Sequence, residues 1–181
     1  MTLPADPPRI IVISGLPGAG KSTTARALAL RMPRAAHVEA DVLQGLVVSG
    51  GVSPDASGVH GEARQQLRLR LRNACLLARS FHAAGFSAIV DDIVAGSRFD
   101  HLVEDLADVP FGFVMLLPSF EHVKARWRAM GSPYVDSWDW IDDDIRLHTP
   151  RVGLWLDTTT LTPDETVDAI LARLDDTTVR V

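Results

Sequence analysis

The order of apolar and polar positions along the chain predicts alternating strands and helices. Short apolar runs rich in β-branched residues predict buried strands, and apolar residues at 3.6-residue spacing predict helices. The predicted strands span residues 9–14, 35–39, 86–90, 111–117 and 152–156. The predicted helices span residues 21–32, 41–48, 60–84, 98–106, 120–130, 139–147 and 163–174. Such alternation is typical of an α/β fold whose parallel sheet carries helices on both faces.

The longest helical pattern, over residues 60–84, should bury one face. That face carries Ala63, Leu67, Leu71, Ala74, Ala78 and Phe81. No linker or internal repeat divides residues 9–181, so we predict a single domain there, preceded by a flexible arm over residues 1–8. Residues 49–58 are rich in glycine and proline and predict an exposed loop.

Composition and charge exclude several function classes. The chain has 181 residues, 46% of them hydrophobic, which is enough for a sizeable core. Its net charge of -5 does not favour sequence-tolerant binding to nucleic acid or to anionic membranes, both of which attract positively charged proteins. Apolar runs are too short for a membrane span and the start lacks signal-peptide features, so we expect a cytoplasmic protein. The one cysteine, Cys75, permits no intramolecular disulfide.

The most specific motif follows the first predicted strand. Residues 15–22 read GLPGAGKS and match G-x-x-x-x-G-K-[ST] at every fixed position. Glycines let backbone N–H groups approach phosphate oxygens, the lysine reaches the outer phosphates, and the serine hydroxyl ligates Mg²⁺. The predicted nucleotide-binding residues are Gly15, Leu16, Pro17, Gly18, Ala19, Gly20, Lys21, Ser22 and Thr23.

The rest of the chain favours phosphoryl transfer over a switch or a motor. Switch GTPases ordinarily carry an N-K-x-D motif, and the sequence has none. A motor or remodelling ATPase normally needs partner domains, for which a chain of this length leaves little room. We therefore favour the interpretation that the protein is a compact kinase.

Acidic residues follow two of the predicted strands. Asp91 ends the run Ala88-Ile-Val-Asp91, where a carboxylate can approach Mg²⁺ together with Ser22. Asp92 could share this task or replace Asp91 in it, and a turn or helix-capping aspartate is the structural alternative. Asp41 follows the second strand and is our candidate base, because an attacking hydroxyl must lose its proton as it reaches the γ-phosphorus. Glu39 is the second choice for the base, and simple helix capping is the structural alternative for Asp41.

Two arginines near the end of the helix over residues 120–130 are candidates for charge stabilisation. Arg126 and Arg128 precede a glycine-containing loop, and we predict a small lid around residues 126–137. Planar guanidinium groups suit a transferring phosphoryl group. Arg126 could instead stack on adenine, and solvated surface arginines are the alternative for both.

Several other side chains have weaker patterns. One sector of the long helix carries Arg64, Arg68, Arg72 and Arg79, which would suit an anionic acceptor, although surface charge in water is the favoured reading. The tryptophans Trp138, Trp140 and Trp155 could line an aromatic pocket, with Trp155 favoured as a core residue. We interpret His60 as structural or acceptor-facing, and Asp142, Asp143 and Asp144 as a solvated helix face.

The motifs resemble small P-loop kinases, most closely the chloramphenicol phosphotransferase-like group. The resemblance rests on residues 11–22, on Val38-Glu-Ala-Asp41-Val-Leu and on Ala88-Ile-Val-Asp91-Asp92-Ile-Val. It implies a P-loop NTPase fold with a five-stranded parallel sheet of nucleoside-monophosphate-kinase type. It also implies ATP and Mg²⁺ as cofactors, a hydroxyl activated by the aspartate that Asp41 matches, and a loop after Asp157 beside the adenine. Residues 43–51, LQGLVVSGG, differ from the more apolar acceptor wall of the antibiotic kinases.

We therefore expect an ATP-dependent phosphotransferase that acts on a hydroxyl of a small molecule, with an antibiotic or other natural product as the candidate acceptor. Lys21, Asp41, Arg126 and Arg128 are the predicted catalytic residues, and Ser22 and Asp91 the predicted Mg²⁺ ligands. A nucleoside, nucleotide or polynucleotide 5'-hydroxyl kinase is the second reading. An ATP-binding regulatory ATPase is the alternative of another class. Oligomeric state is left open.

Overall fold

The structure of the protein is a computed structural model, which describes residues 7–54, 59–129, 131 and 139–179. Its strands are β1 (Ile10–Gly15), β2 (Ala35–Glu39), β3 (Ser87–Asp91), β4 (Phe111–Leu116) and β5 (Leu154–Leu156). Its helices are α1 (Lys21–Leu30), α2 (Ala40–Gln44), α3 (Gly61–Ala83), α4 (Arg98–Asp105), α5 (Phe120–Ala129), α6 (Asp139–Asp143) and α7 (Pro163–Ala172). A π-helical turn covers Asp144–His148 and a 3₁₀ turn covers Leu174–Thr177.

The five strands form one parallel sheet in the order β2-β3-β1-β4-β5. The central strand β1 pairs with β3 on one side and with β4 on the other, so that Ile11 lies between Ile89 and Gly112. Every residue of β1 and β4 is buried, which requires cover on both faces of the sheet. The predicted fold class is confirmed: this is a five-stranded parallel α/β sheet with helices on both faces.

This strand order brings the carboxyl ends of β1, β2 and β3 together at one edge of the sheet. In open α/β sheets, ligands bind outside the carboxyl ends of the strands, where neighbouring connections leave in opposite directions. The phosphate loop follows β1, Asp41 follows β2, and Asp91 ends β3. The strand order alone therefore places the three predicted motifs next to one another at the carboxyl ends of β1, β2 and β3.

Three predicted helical segments differ from the observed ones. The helix predicted over residues 41–48 ends at Gln44, because the next apolar side chains, including Leu46 and Val48, are exposed and give a longer helix no buried face. The helix predicted over residues 139–147 divides into α6 and the π-helical turn. There the Thr149 hydroxyl donates to the Asp144 carbonyl at 2.9 Å and accepts from the Gly96 amide at 2.8 Å.

The third difference concerns the buried face of α3. Phe81, which the pattern places on that face, is 39% exposed, whereas the other five predicted residues are buried. Its ring packs edge to face against Phe86 in the turn that follows the helix, with the ring centroids 6.3 Å apart. The remaining element boundaries agree with the predictions to within two residues.

Parts of the predicted organisation lie outside the described residues. These are residues 1–6 of the arm, residues 130 and 132–137 of the lid, and Trp138. Within the described ranges, no helix is both long and apolar enough to cross a membrane.

Candidate active site

The phosphate loop connects β1 to α1 and opens toward a large cleft. Gly15 has no room for a side chain, because a Cβ there would lie 2.6 Å from the Leu116 carbonyl oxygen. Gly18 has a φ of 76°, and a Cβ there would lie 2.9 Å from the Trp127 Nε1 atom. The glycine spacing therefore reflects both the turn of the backbone and the close packing of its neighbours.

Helix α5 supports the outer side of this loop. The Trp127 indole nitrogen donates to the Pro17 carbonyl at 2.9 Å, and an Arg126 guanidinium nitrogen donates to the Gly18 carbonyl at 3.1 Å. Trp127 is only 2% exposed, whereas Arg126 is exposed. Sequence reasoning missed Trp127, although its spacing of four residues from the buried Val123 marks it as part of the apolar face of α5.

The two predicted lid arginines are therefore found in different surroundings. Arg126 contacts the phosphate loop by donating to the backbone carbonyl of Gly18. Arg128 is exposed on the last turn of α5. Neither residue is among those that line the cleft.

Lys21 begins α1, and its ammonium group donates to the Leu16 carbonyl at 3.0 Å. Burial lowers the pKa of Lys21, and the nearby carboxylates of Asp92, Asp91 and Asp41 oppose that shift. A phosphate bound next to this ammonium would add negative charge at short range, which favours the charged form. The position thus suits a lysine that receives the outer phosphates of a nucleotide.

Asp91 is held from two sides at the end of β3. The Ser22 hydroxyl donates to Asp91 Oδ2 at 2.5 Å, and His37 Nε2 lies 2.8 Å from Asp91 Oδ1. A serine hydroxyl and a carboxylate are oxygen ligands of the type that Mg²⁺ prefers, and Mg²⁺ normally keeps water and substrate phosphates as its other ligands. No group of three or more described His, Cys, Asp or Glu residues could hold a metal alone. The donor set therefore fits a Mg²⁺ ion that arrives with a nucleotide.

Asp92 has a different role from its neighbour. Its carboxylate is 1% exposed and forms ion pairs with Arg70 and, at 2.7 Å, with Arg98. It also accepts a hydrogen bond from the Ile93 amide at 2.7 Å. With these partners, Asp92 anchors two arginines beside the cleft, and Asp91 is the carboxylate that faces Ser22.

Asp41 lies on the cleft in the first turn of α2. The N-cap of that helix is Glu39, so the capping interpretation of Asp41 is wrong. The Asp41 carboxylate is 82% exposed and accepts a hydrogen bond from Arg70 at 3.1 Å. Arg70 itself is 10% exposed and connects Asp41 to the buried Asp92. Glu39, the second choice for the base, is not among the cleft-lining residues.

The cleft extends from the phosphate loop into a region bounded by α3, α4 and α6, with a volume of about 1220 Å³. Its walls include Arg64, Arg68, Arg98, His60, His101 and Trp140. A volume of this size exceeds what a typical single drug-sized ligand needs, so a nucleotide and a second molecule can both be considered.

Two of the four predicted α3 arginines form ion pairs and are not simply solvated, as the favoured interpretation of the sequence had them. Arg68 is half-buried and forms an ion pair with Asp105, and Arg79 pairs with Asp108 at 2.7 Å. The Arg79 guanidinium lowers the pKa of Asp108 to about 2. Arg72 is exposed.

The acidic run spans the end of α6 and the start of the π-helical turn, and only Asp143 is exposed as the expected solvated face would be. Asp143 and Asp144 line the cleft, and Asp142 pairs with Arg146 at 2.8 Å. Trp155 is half-buried and donates to the Val152 carbonyl at 3.0 Å, whereas Trp140 contributes to the cleft wall.

The chain is similar in fold to several solved structures, among them two kinases and an antibiotic resistance protein. No protein-family model matches it, and no curated protein is significantly similar to it in sequence. A tunicamycin resistance protein of Deinococcus radiodurans matches with a TM-score of 0.70 and 22% identity, over 96% of this chain and 99% of that one. A sugar kinase from a Janibacter species matches with a TM-score of 0.67 and 21% identity, over 93% of this chain and 95% of that one.

An APS kinase of Mycobacterium tuberculosis, solved with AMPPNP and APS, matches with a TM-score of 0.68 and 17% identity, over 93% of this chain and 98% of that one. These similarities, together with the sheet order and the phosphate loop, define the fold class of the chain. The chain has a P-loop NTPase fold in the form found in small kinases. The predicted resemblance to small P-loop kinases is confirmed at the level of the fold.

Proposed function

We propose that this protein is an ATP-dependent phosphotransferase that moves the γ-phosphoryl group to a hydroxyl of a small molecule. One observation carries the proposal: Asp41 lines the same cleft as Lys21, Ser22 and Asp91. A carboxylate opposite a phosphate loop is what direct transfer to a second substrate needs. The similarity in fold to a sugar kinase and an APS kinase supports the same interpretation.

In the proposed reaction, the loop amides and Lys21 bind the phosphates of ATP. Ser22 and Asp91 would hold Mg²⁺, which would supply positive charge to the phosphate oxygens. Asp41 accepts the proton of the acceptor hydroxyl as its oxygen forms a bond to the γ-phosphorus. The bond between that phosphorus and the bridging oxygen breaks, and its electron pair leaves with ADP. Arg126 and Arg128 belong to the proposed lid, which would close over the nucleotide.

Arg70 adds a residue that sequence reasoning did not assign. Its guanidinium connects the exposed Asp41 to the buried Asp92, and Arg98 holds the other oxygen of Asp92. A planar guanidinium can bond to two carboxylates in fixed directions, which a lysine cannot. Arg70 would therefore keep the carboxylate of Asp41 at the edge of the cleft where the acceptor hydroxyl binds.

We place the acceptor in the part of the cleft bounded by α3, α4 and α6, and the ion pairs there favour an uncharged acceptor. Carboxylates of this chain neutralise Arg68, Arg70 and Arg98. A polynucleotide or nucleotide acceptor would have to compete for these arginines. An antibiotic or other natural product with a free hydroxyl fits better, and the similarity to a tunicamycin resistance protein supports that class. Action in the cytoplasm, where ATP is available, is part of the proposal.

One observation favours the second candidate, a kinase for nucleoside, nucleotide or polynucleotide 5'-hydroxyl groups. Arg64 lines the cleft, donates to the Val59 carbonyl at 3.1 Å, and forms no ion pair with any described carboxylate. A phosphate of the acceptor could bind there. The Arg64→Ala variant should then lose activity only if the acceptor is anionic.

The experiment that tests the proposal follows ³²P from γ-labelled ATP in the presence of Mg²⁺. Separate pools of hydroxyl-bearing antibiotics, nucleosides and 5'-hydroxyl oligonucleotides serve as acceptors. The proposal expects label in the antibiotic pool, lost in Asp41→Asn and kept in the matched control Glu39→Gln. Label in the other pools would favour the second candidate. Free phosphate alone, unaffected by any acceptor or by Asp41→Asn, would favour the regulatory ATPase and overturn the assignment of the base.

A further inference from the structure

His37 is a residue of the central part of β2 to which the proposed reaction assigns no role. In the sheet, His37 is paired with Ile89 and Glu39 with Asp91, so His37 and Asp91 extend from the same face on neighbouring strands. They are diagonal neighbours, a spacing that a long or aromatic side chain can cover. Helix α1, which carries Ser22, lies against this part of the sheet.

The hydrogen bonds at Asp91 occupy one oxygen each. Ser22 donates to Oδ2 at 2.5 Å and His37 Nε2 contacts Oδ1 at 2.8 Å. A carboxylate accepts hydrogen bonds and donates none, so the hydrogen between the imidazole and Asp91 belongs to Nε2. Because the two oxygens are held by groups on different elements, the carboxylate plane cannot rotate without breaking one of the two bonds.

Both partners are largely removed from water. The side chains of His37 and Asp91 are 16% and 4% exposed, respectively. Water is therefore a poor substitute for the imidazole, and loss of the N–H donor would leave Oδ1 without its partner. A carboxylate freed on one side can turn its second oxygen away from the serine that it faces.

We propose that His37 is a positioning residue that holds Asp91 in the orientation needed for Mg²⁺ binding with the nucleotide. The inference rests on the proposed function, since it takes Ser22 and Asp91 as the groups that meet the ion. It depends on the N–H donor at the Nε2 position and not on the charge of the imidazole. In metal sites, loss of an outer partner that orients a ligand typically lowers metal affinity by about 10- to 100-fold.

The test measures Mg²⁺ rather than turnover. AMPPNP binding is followed by calorimetry at increasing Mg²⁺ concentrations, and again with Mg²⁺ removed by EDTA. His37→Leu removes the donor, and His37→Gln keeps an N–H near the Nε2 position. His82→Leu is the matched control, because His82 is a half-buried histidine that contacts the Pro8 carbonyl at 3.1 Å, on a helix end away from the cleft.

We expect His37→Leu to need about 10- to 100-fold more Mg²⁺ for half-maximal enhancement of AMPPNP binding. His37→Gln and His82→Leu should stay close to the wild type, and the affinity measured in EDTA should be the same in all four proteins. If His37→Leu does not fold, His37→Asn replaces it, because its shorter side chain places the N–H out of reach of Asp91.

Three results would overturn the inference. They are an unchanged Mg²⁺ requirement in His37→Leu, an equal loss in His37→Gln, and an equal loss of affinity in EDTA. The last would mean general damage to the phosphate loop. A wild-type protein that binds AMPPNP without any Mg²⁺ dependence would instead overturn the proposed function, and this inference with it.

Discussion

The contact between Trp127 and the phosphate loop leads to a prediction that separates stability from binding. Trp127→Phe keeps an aromatic ring against Phe120, whose ring centroid lies 6.1 Å from that of Trp127, but removes the N–H that donates to the Pro17 carbonyl. The loop then keeps the contact of Arg126 with Gly18 but loses its hydrogen bond to the buried ring of α5. We expect both the free energy of unfolding and the affinity for nucleotide to fall.

The size of the effect follows from the hydrogen bond. The Pro17 carbonyl is half-buried at the edge of the cleft, and a hydrogen bond of this kind contributes about 0.5–1.5 kcal/mol of folding free energy. In the absence of nucleotide, the untethered Pro17 can leave the conformation in which the loop amides point at phosphate, so binding has to restore that conformation. If about 0.5–1.5 kcal/mol falls on the loop, the Kd for AMPPNP should rise about 2- to 10-fold.

Trp155→Phe is the matched control for this prediction. Trp155 also donates to a backbone carbonyl, that of Val152, at 3.0 Å, but it lies on β5 outside the cleft. Urea unfolding and AMPPNP calorimetry are measured on both variants. We expect Trp155→Phe to lose stability with an unchanged Kd. An unchanged Kd in Trp127→Phe, or an equal rise in both variants, would refute the role of Trp127 in ordering the loop.

Three further predictions concern Lys21, Arg70 and Cys75. Lys21→Ala should weaken AMPPNP binding by at least about tenfold. The unfolding midpoint should stay near the wild-type value, because the desolvation of the Lys21 ammonium opposes its attraction to the nearby carboxylates. Unfolding of the variant with its nucleotide affinity retained would contradict this. Arg70→Lys should lower phosphoryl transfer by about tenfold or more with an unchanged AMPPNP affinity, while Arg72→Lys on the exposed side of α3 changes neither; equal effects of the two variants would contradict it. Burial raises the pKa of the Cys75 thiol to about 12, so iodoacetamide at pH 8 should label the protein only after urea unfolding, as mass spectrometry can check; rapid labelling of the folded protein would show that the thiol is accessible.

The sequence predicts the sheet well because its strands are buried on both faces. β1 and β4 are continuous apolar runs, and the glycine-rich loop fixes the start of α1 at Lys21. Periodicity performs less well where a third element sets the geometry. The division of the helix after residue 139 depends on the Thr149 side chain and on Gly96, which lie on either side of it in the chain.

The residues of the candidate site that belong to sequence motifs can be predicted, and those that reach the site only through packing cannot. Ser22 and Asp91 are found together because each belongs to a motif at a strand end. Arg70 resembled any other charged residue of a long helix until α3 was packed beside β2 and β3. His37 likewise lies in a short strand and belongs to no sequence motif. Only the register of β2 against β3 brings its side chain to Asp91.

In the proposed reaction, ATP is consumed by direct transfer to an acceptor that Asp41 activates. The most direct measurement is the amount of ADP formed and of acceptor phosphorylated in the same reaction, for the wild type and for Asp41→Asn. Direct transfer predicts equal amounts of the two products in the wild type and a loss of both in the variant. ADP formed without phosphorylated acceptor, at the same rate in both proteins, would contradict it.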